Sequence, residues 1–313
     1  MHSDYAVAWI CALPLERAAA EVMLDEIHEP LPQPHTDSNA YVLGTLNGHH
    51  VVIACLPTGV YGTVSAATVM AHLISTFRHI QYGLMVGIGG GVPNNTNNIH
   101  LGDVVISKPT GPNSGIIQYD YGKAVRGGRF EQTGMLNYPP QVLLTHMGGL
   151  QAREMTQANS PLAGIVQDVL ERNPGMKGKF AVPNLDTDYL FQSSYHHIEN
   201  ESNCEKCDKS QLVERQEPDS RAPQIHYGLI ASGNQVMKDP EVRDRVAKEL
   251  GIICFEMEAA GIANQLQTLV IRGICDYCDS HKLKEWQGYA ALTAAAYTKM
   301  LLSVVPVRPN VNL

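Results

Sequence analysis

Three features of this 313-residue sequence predict a layered α/β fold. Apolar runs of strand length alternate with stretches of helical periodicity along the chain. Glycines and acidic residues cluster just past several of the apolar runs, where open α/β sheets bind ligands. The length is ample to bury a core without covalent staples.

Residues 5–11 form a continuous apolar run and read as a buried strand, followed by a helix over 15–24. Strands at 41–46 and 49–56 flank Asn47-Gly48, a pair that tolerates positive φ at both positions and so marks a hairpin. A helix rich in small residues spans 61–78 and leads into a strand at 82–86, which runs into the loop Gly87-Ile88-Gly89-Gly90-Gly91. Further strands are expected at 103–108 and 116–119, and 139–172 is helical with a break near Ser160-Pro161. A strand at 225–232, a helix at 240–250, a strand at 252–255 and a helix from Glu258 follow. The last strand is 270–275, and an Ala-rich helix over 289–304 closes the chain. Residues 199–221 stand apart with 11 charged positions in 23. That density reads as a solvated loop insertion or lid within one domain of residues 1–313.

The balance of 23 Lys+Arg against 31 Asp+Glu gives a net charge of −8. It argues against a nucleic-acid or anionic-membrane partner, since both need a basic face. No run reaches 18 apolar residues, and the N-terminus lacks a signal-peptide pattern. Seven scattered cysteines, several inside apolar runs, fit a reducing compartment, and a cytoplasmic protein is expected. Cys204-x2-Cys207, with His196, His197 and Asp208 nearby, has zinc-compatible spacing, but a second C-x2-C pair is missing. The segment reads as a local turn and no metal or organic cofactor is assigned.

Four features carry the candidate chemistry. They are the Gly87–Gly91 run, Phe255-Glu256-Met257-Glu258-Ala259-Ala260-Gly261, Arg272-Gly273-Ile274-Cys275-Asp276, and Glu16 in Leu13-Pro14-Leu15-Glu16-Arg17. Alone, each has a plain reading: a tight turn, helix-start acids favoured by the macrodipole, a turn-capping Asp, an exposed first-turn acid. Together they lie past the ends of four different strands, and in a parallel sheet they would converge on one edge.

Their order resembles the purine nucleoside phosphorylase/uridine phosphorylase superfamily, and most of all its methylthioadenosine/adenosylhomocysteine nucleosidase branch. Gly59–Thr68 (GVYGTVSAAT), Leu101–Ser107 (LGDVVIS) and Gly228–Gly233 (GLIASG) extend the likeness. The chain also looks like domains attached to fungal immune-type receptors and to bacterial defence proteins, some of which cleave ATP. The resemblance implies a three-layer fold with a central mixed, partly barrel-like sheet flanked by helices, and a homo-oligomer (dimer or trimer). It implies that Asp276 acts as the acid at N7 of the leaving purine and that Arg272 orients it. Glu258 would hold the ribose hydroxyls, Met257 pack under the sugar, and Glu16 activate water. Glu256, Gly87, Ile88 and Gly89 would line the site. Asn234, Val236 and Met237 fall where the family contacts the base, although the aromatic often found there is missing.

The chemistry is coherent without the family. Breaking an N-glycosidic bond passes through an oxocarbenium-like state, which calls for an acid at the leaving base and anionic groups at the sugar. Phosphorylases carry an Arg before the Gly loop and a Ser within it, whereas Leu84-Met85-Val86-Gly87-Ile88 has neither. Taken with the resemblance, this implies hydrolysis of purine, chiefly adenine, nucleosides or nucleotides such as adenosine, AMP or ATP. Arg17 leaves a phosphorylase as the alternative, and a catalytically silent ligand-sensing module is a second. The cations Lys123, Arg126 and Arg129 read as a solvated loop or as donors to a 5′-phosphate.

Overall fold

A computed structural model describes residues 1–307 apart from 95, 125, 127–129, 157–159 and 216–220. The first half of the chain contains β1 (Val7–Cys11), α1 (Pro14–Glu21), β2 (Glu26–His28), β3 (Tyr41–Leu46), β4 (His49–Cys55), α2 (Thr63–Thr76) and β5 (Tyr82–Gly91). Then come β6 (Val104–Ser107), β7 (Ile116–Gln118), β8 (Gly122–Ala124), β9 (Phe130–Gln132), α3 (Gln141–Glu154), α4 (Leu162–Arg172) and α5 (Lys177–Phe180). The last part holds β10 (Ile225–Ser232), α6 (Pro240–Leu250), β11 (Ile252–Glu256), α7 (Ala259–Ile262), β12 (Thr268–Asp276) and α8 (Gln287–Leu302). Among the described residues, no helix is long and apolar enough to cross a membrane.

The large sheet runs β11-β10-β6-β12-β5-β1-β4-β3-β2, with β7 on β10. β11 also pairs with β5, so β5, β12, β6, β10 and β11 close into a five-strand ring, while β1 to β4 fan out from β5. The sheet is mixed. β5 is parallel to β1 and β12, but β11 is antiparallel to β5 and β6 is antiparallel to β12. This is the mixed, partly barrel-like sheet that the resemblance implies, and its ring brings strands of both directions to one place.

Local chemistry explains most elements. β1 is buried at all five positions, as an apolar run without alternation must be when both faces of its sheet are covered. Asn47 and Gly48 adopt φ of 49° and 81° and join β3 to β4 as their type requires. α8 buries every residue except Gln287 and Lys299, and its alanines let it lie against β12 and β5 with α1 and α4 around it.

One expectation is corrected. The glycine run is not a loop: β5 continues unbroken to Gly91, paired with β12 on one side and β11 on the other. The charged segment, largely exposed where it is described, is anchored at a few points. Cys204 and Cys207 are buried with Phe191, and Arg215 donates to Ile99 O (3.1 Å) and Tyr277 Oη (2.9 Å), which docks the chain against the loop after β12.

Candidate active site

Glu16 is the third residue of α1, in the first turn of the helix that Pro14 opens. Its carboxylate is buried. Oε2 accepts from Ala12 N (2.6 Å) and Leu13 N (2.9 Å), and Oε1 accepts from Ile88 N (2.7 Å). Gly87 makes this possible, because a Cβ there would overlap the Glu16 carboxylate and lie 2.8 Å from Arg272 Nη1. Gly87 therefore admits side chains, Ile88 contributes its backbone, and Gly89 packs against Cys254.

Arg272 is the hub of the ring interior and is 1% exposed. Its Nη2 pairs with Glu256 and lies 3.2 Å from Glu258 Oε2, while Nη1 donates to Ile88 O (3.2 Å) and stands 4.0 Å from Glu16 Oε1. One cation thus serves three buried carboxylates. Glu256 is further committed to the amides of Glu258 (3.1 Å) and Ala259 (3.0 Å), so it fastens the start of α7. Glu258 has one backbone donor, Gly62 N at 3.3 Å, and keeps accepting capacity. Burial pushes its carboxyl up to about 7; Arg272 opposes this, and Glu256 and Glu16 add to it. Burial raises Glu16 too, against Arg272 and its backbone donors.

Asp276 closes β12 with a different partner. Arg272 stands four residues back, about 13 Å along an extended strand, and does not engage it. Lys282 Nζ lies 3.0 Å from Asp276 Oδ2, Cys275 Sγ is 3.2 Å from the same oxygen, and Cys278 N donates to Oδ1 (2.9 Å). A Cβ at Gly90 would overlap Cys278 Sγ and sit 2.9 Å from Asp276 Oδ1, so the last glycines of β5 make room for this turn. Lys282 was not singled out from the sequence. It lies six residues past the motif in an irregular loop, where no periodicity points at it.

The loop after β10 meets the site less completely. Asn234 Oδ1 accepts from Thr63 N (3.0 Å) and Oγ1 (2.9 Å), tying this loop to the start of α2. Met237 is buried in an apolar cluster with Phe255 and Cys278, Met257 is half-buried, and Val236 is 44% exposed. Tyr119 supplies an aromatic that the linear motif lacks: its ring packs edge-on to Phe255 (5.4 Å) and its hydroxyl donates to Gln235 O (3.0 Å). Arg17 pairs with Glu21 at 2.5 Å on α1 and lines an outer groove with Cys55 and Tyr61. Lys123 and Arg126 are exposed, whereas Arg129 lies outside the described residues.

The sequence profile of the Phosphorylase superfamily matches residues 6–305, nearly the whole chain. The chain belongs to the phosphorylase superfamily. It is 45% identical over 303 residues to a nucleotide-binding leucine-rich repeat (NLR)-like protein of Hyaloscypha variabilis, covering 96% of this chain and 29% of that protein. It is 25% identical to the ATP nucleosidase Cap17 of Escherichia coli, over 94% of this chain and half of that protein. The chain thus spans well under two thirds of either relative. Among solved structures, the 5′-methylthioadenosine/S-adenosylhomocysteine nucleosidase from S. pneumoniae, held with a transition-state inhibitor, superposes with a TM-score of 0.59. It is 19% identical, with 96% of this chain and all of that one covered, which supports the same fold.

Proposed function

We propose that the chain is an N-glycosidase that hydrolyses the base–ribose bond of purine nucleosides or nucleotides and releases the free base. One observation carries the choice of water over phosphate. Among the described residues, Arg272 is the one cation within 4 Å of Glu16, Glu256 or Glu258, and three carboxylates already surround it. An inorganic phosphate brought beside this cluster meets net negative charge with no free donor cation, whereas water does not.

In this reading water attacks C1′ and gives a proton to Glu16, whose raised pKa suits it to accept one. Glu258 accepts from the ribose hydroxyls, and Met257 packs under the sugar. Asp276, as the acid, gives its proton to N7 as the C1′–N bond breaks and is left as a carboxylate facing the Lys282 ammonium, while the proton taken from water rests on Glu16. Tyr119, Val236 and Met237 border the base, and Arg272 with Glu256 holds the carboxylates in place. The names of the relatives support adenine-containing substrates, including 5′-methylthioadenosine and ATP. The exposed apolar group Val60, Tyr61 and Val64 fits a homo-oligomer, and the seven free thiols fit a cytoplasmic setting.

The test is base release from adenosine, inosine, uridine, methylthioadenosine, AMP and ATP, with and without inorganic phosphate. Free adenine without phosphate is expected. Turnover only with phosphate overturns hydrolysis in favour of a phosphorylase. Release of no base under either condition overturns the enzymatic reading.

A further inference from the structure

Beyond the loop that carries Lys282 lies a second cluster. Cys204 and Cys207 are buried free thiols, and their Sγ atoms lie within 4.8 Å of each other and of a ring nitrogen of His197. Among the described residues this is the one such grouping of three His, Cys, Asp or Glu ligand atoms. His197 Nε2 is hydrogen-bonded to Asn203 O at 3.0 Å, which leaves Nδ1 free, and a backbone partner of this kind orients ligating imidazoles.

An independent observation points to the same spot. His281 is 7% exposed, yet neither ring nitrogen has a hydrogen-bond partner. Its ring stacks on Phe191 (4.0 Å between centroids) and stands edge-on to His197 (5.4 Å), and its carbonyl oxygen is 3.9 Å from Cys204 Sγ. Nδ1 lies 3.8 Å from Asp279 Oδ2, a small ring movement from a carboxylate–imidazole pair that would leave Nε2 to bind. A buried imidazole with no partner is costly, and a bound cation removes that cost.

We propose that His197, Cys204, Cys207 and His281 form a structural zinc site. Two thiolates and two imidazoles are a donor set that selects zinc in tetrahedral geometry. Bonds of about 2.0–2.3 Å place ligand atoms about 3.3–3.8 Å apart, so His197, Cys204 and Cys207 close by roughly an ångström on binding, and the His281 ring, outside their 4.8 Å grouping, turns in as the fourth ligand. The ion does no chemistry on the substrate. It cross-links the charged segment to the loop after β12, and a small cavity lined by Cys204, His281, Asp279 and Asp276 separates it from the candidate acid. The zinc thereby holds Lys282 against Asp276. This replaces the local turn expected from a lone C-x2-C pair: His281 is 74 residues beyond Cys207 in sequence, and no linear spacing joins them.

The test is elemental analysis of the full chain, expressed without a polyhistidine tag in zinc-replete medium. About one zinc per chain is expected, falling to near zero in Cys204→Ser/Cys207→Ser. Because that variant risks misfolding, the wild-type chain is also stripped with a chelator and titrated with Co(II). Thiolate-to-cobalt charge-transfer bands and tetrahedral d–d bands saturating at about one equivalent support the site. Zinc-free protein as isolated, with Co(II) giving no thiolate band, overturns it. Neither readout depends on turnover, so a failed base-release assay leaves this test intact.

Discussion

Arg272 and Asp276 share one buried strand, and they meet opposite electrostatic settings. Around Arg272, one cation faces Glu16, Glu256 and Glu258. Around Asp276, one carboxylate faces one cation, Lys282. The first setting is short of positive charge, so burial drives Glu258 up to about 7 and raises Glu16. The second is balanced, and Asp276 outweighs the burial that would strip Lys282 of its charge, so the ammonium's pKa is raised. Under the proposed function the same residue type serves opposite ends of one reaction: glutamates that accept from water and the ribose hydroxyls, and Asp276, which acts as the acid at the base and faces Lys282 once its proton has left.

The most direct way to break this comparison is Asp276→Asn. It keeps the size and the Cys278 N hydrogen bond but leaves Lys282 without its counter-charge, so the thermal midpoint should fall while the folded circular-dichroism spectrum is kept and base release falls on the order of 10³-fold. Wild-type-like turnover in this variant would sink the assignment of the base end. A smaller effect is expected from Lys282→Met, about 10- to 100-fold in kcat with KM little changed. A change in thermal midpoint with kcat intact would instead make Lys282 a purely structural partner.

Glu258 sharpens the other end. Its folded pKa of about 7 predicts that kcat/KM declines as pH falls through that value and the ribose acceptor becomes protonated. A flat profile between pH 6 and about 8 would remove Glu258 from ribose binding. The same shift affects stability. A carboxyl raised above its unfolded value favours the folded state while protonated, and that contribution is lost as pH rises from the unfolded value through about 7. Glu258→Gln should then be more stable than wild type at pH 8, by on the order of 1–3 kcal/mol in denaturant titrations, with the gap closing near pH 4–5. Impaired activity alongside that gain is the expected exchange at a functional site.

Much of this was legible in the sequence. The hairpin at Asn47-Gly48, the helix over Pro240–Leu250 and the strand over Ile225–Ser232 follow from turn chemistry and periodicity, which are local. Glu16, Glu256, Glu258 and Asp276 stood out because acids at strand ends are conspicuous, and the structure places the three glutamates around the single guanidinium of Arg272. The glycine run misled, because in isolation it reads as a turn. Inside a closed ring, missing β-carbons are what allow Glu16, Arg272 and Cys278 to occupy the space beside β5. Lys282 gave no signal, since it reaches the site through a loop of irregular backbone, and Tyr119 was read only as the end of a strand, its neighbours Phe255 and Gln235 being distant in sequence.

The division follows the range of the forces involved. Strand and helix identity, the hairpin turn and the residue types available for glycosidic chemistry were set by the linear order, because apolar period and turn preference act within a few residues. Which cation meets which carboxylate was decided by ring closure. Antiparallel pairing of β11 with β5 brings Glu256 beside Arg272, and the fold of the loop after β12 brings Lys282 to Asp276 and His281 toward Cys204. Electrostatic partnership depends on distance in space, and among buried groups a few ångströms separate a paired charge from an isolated one.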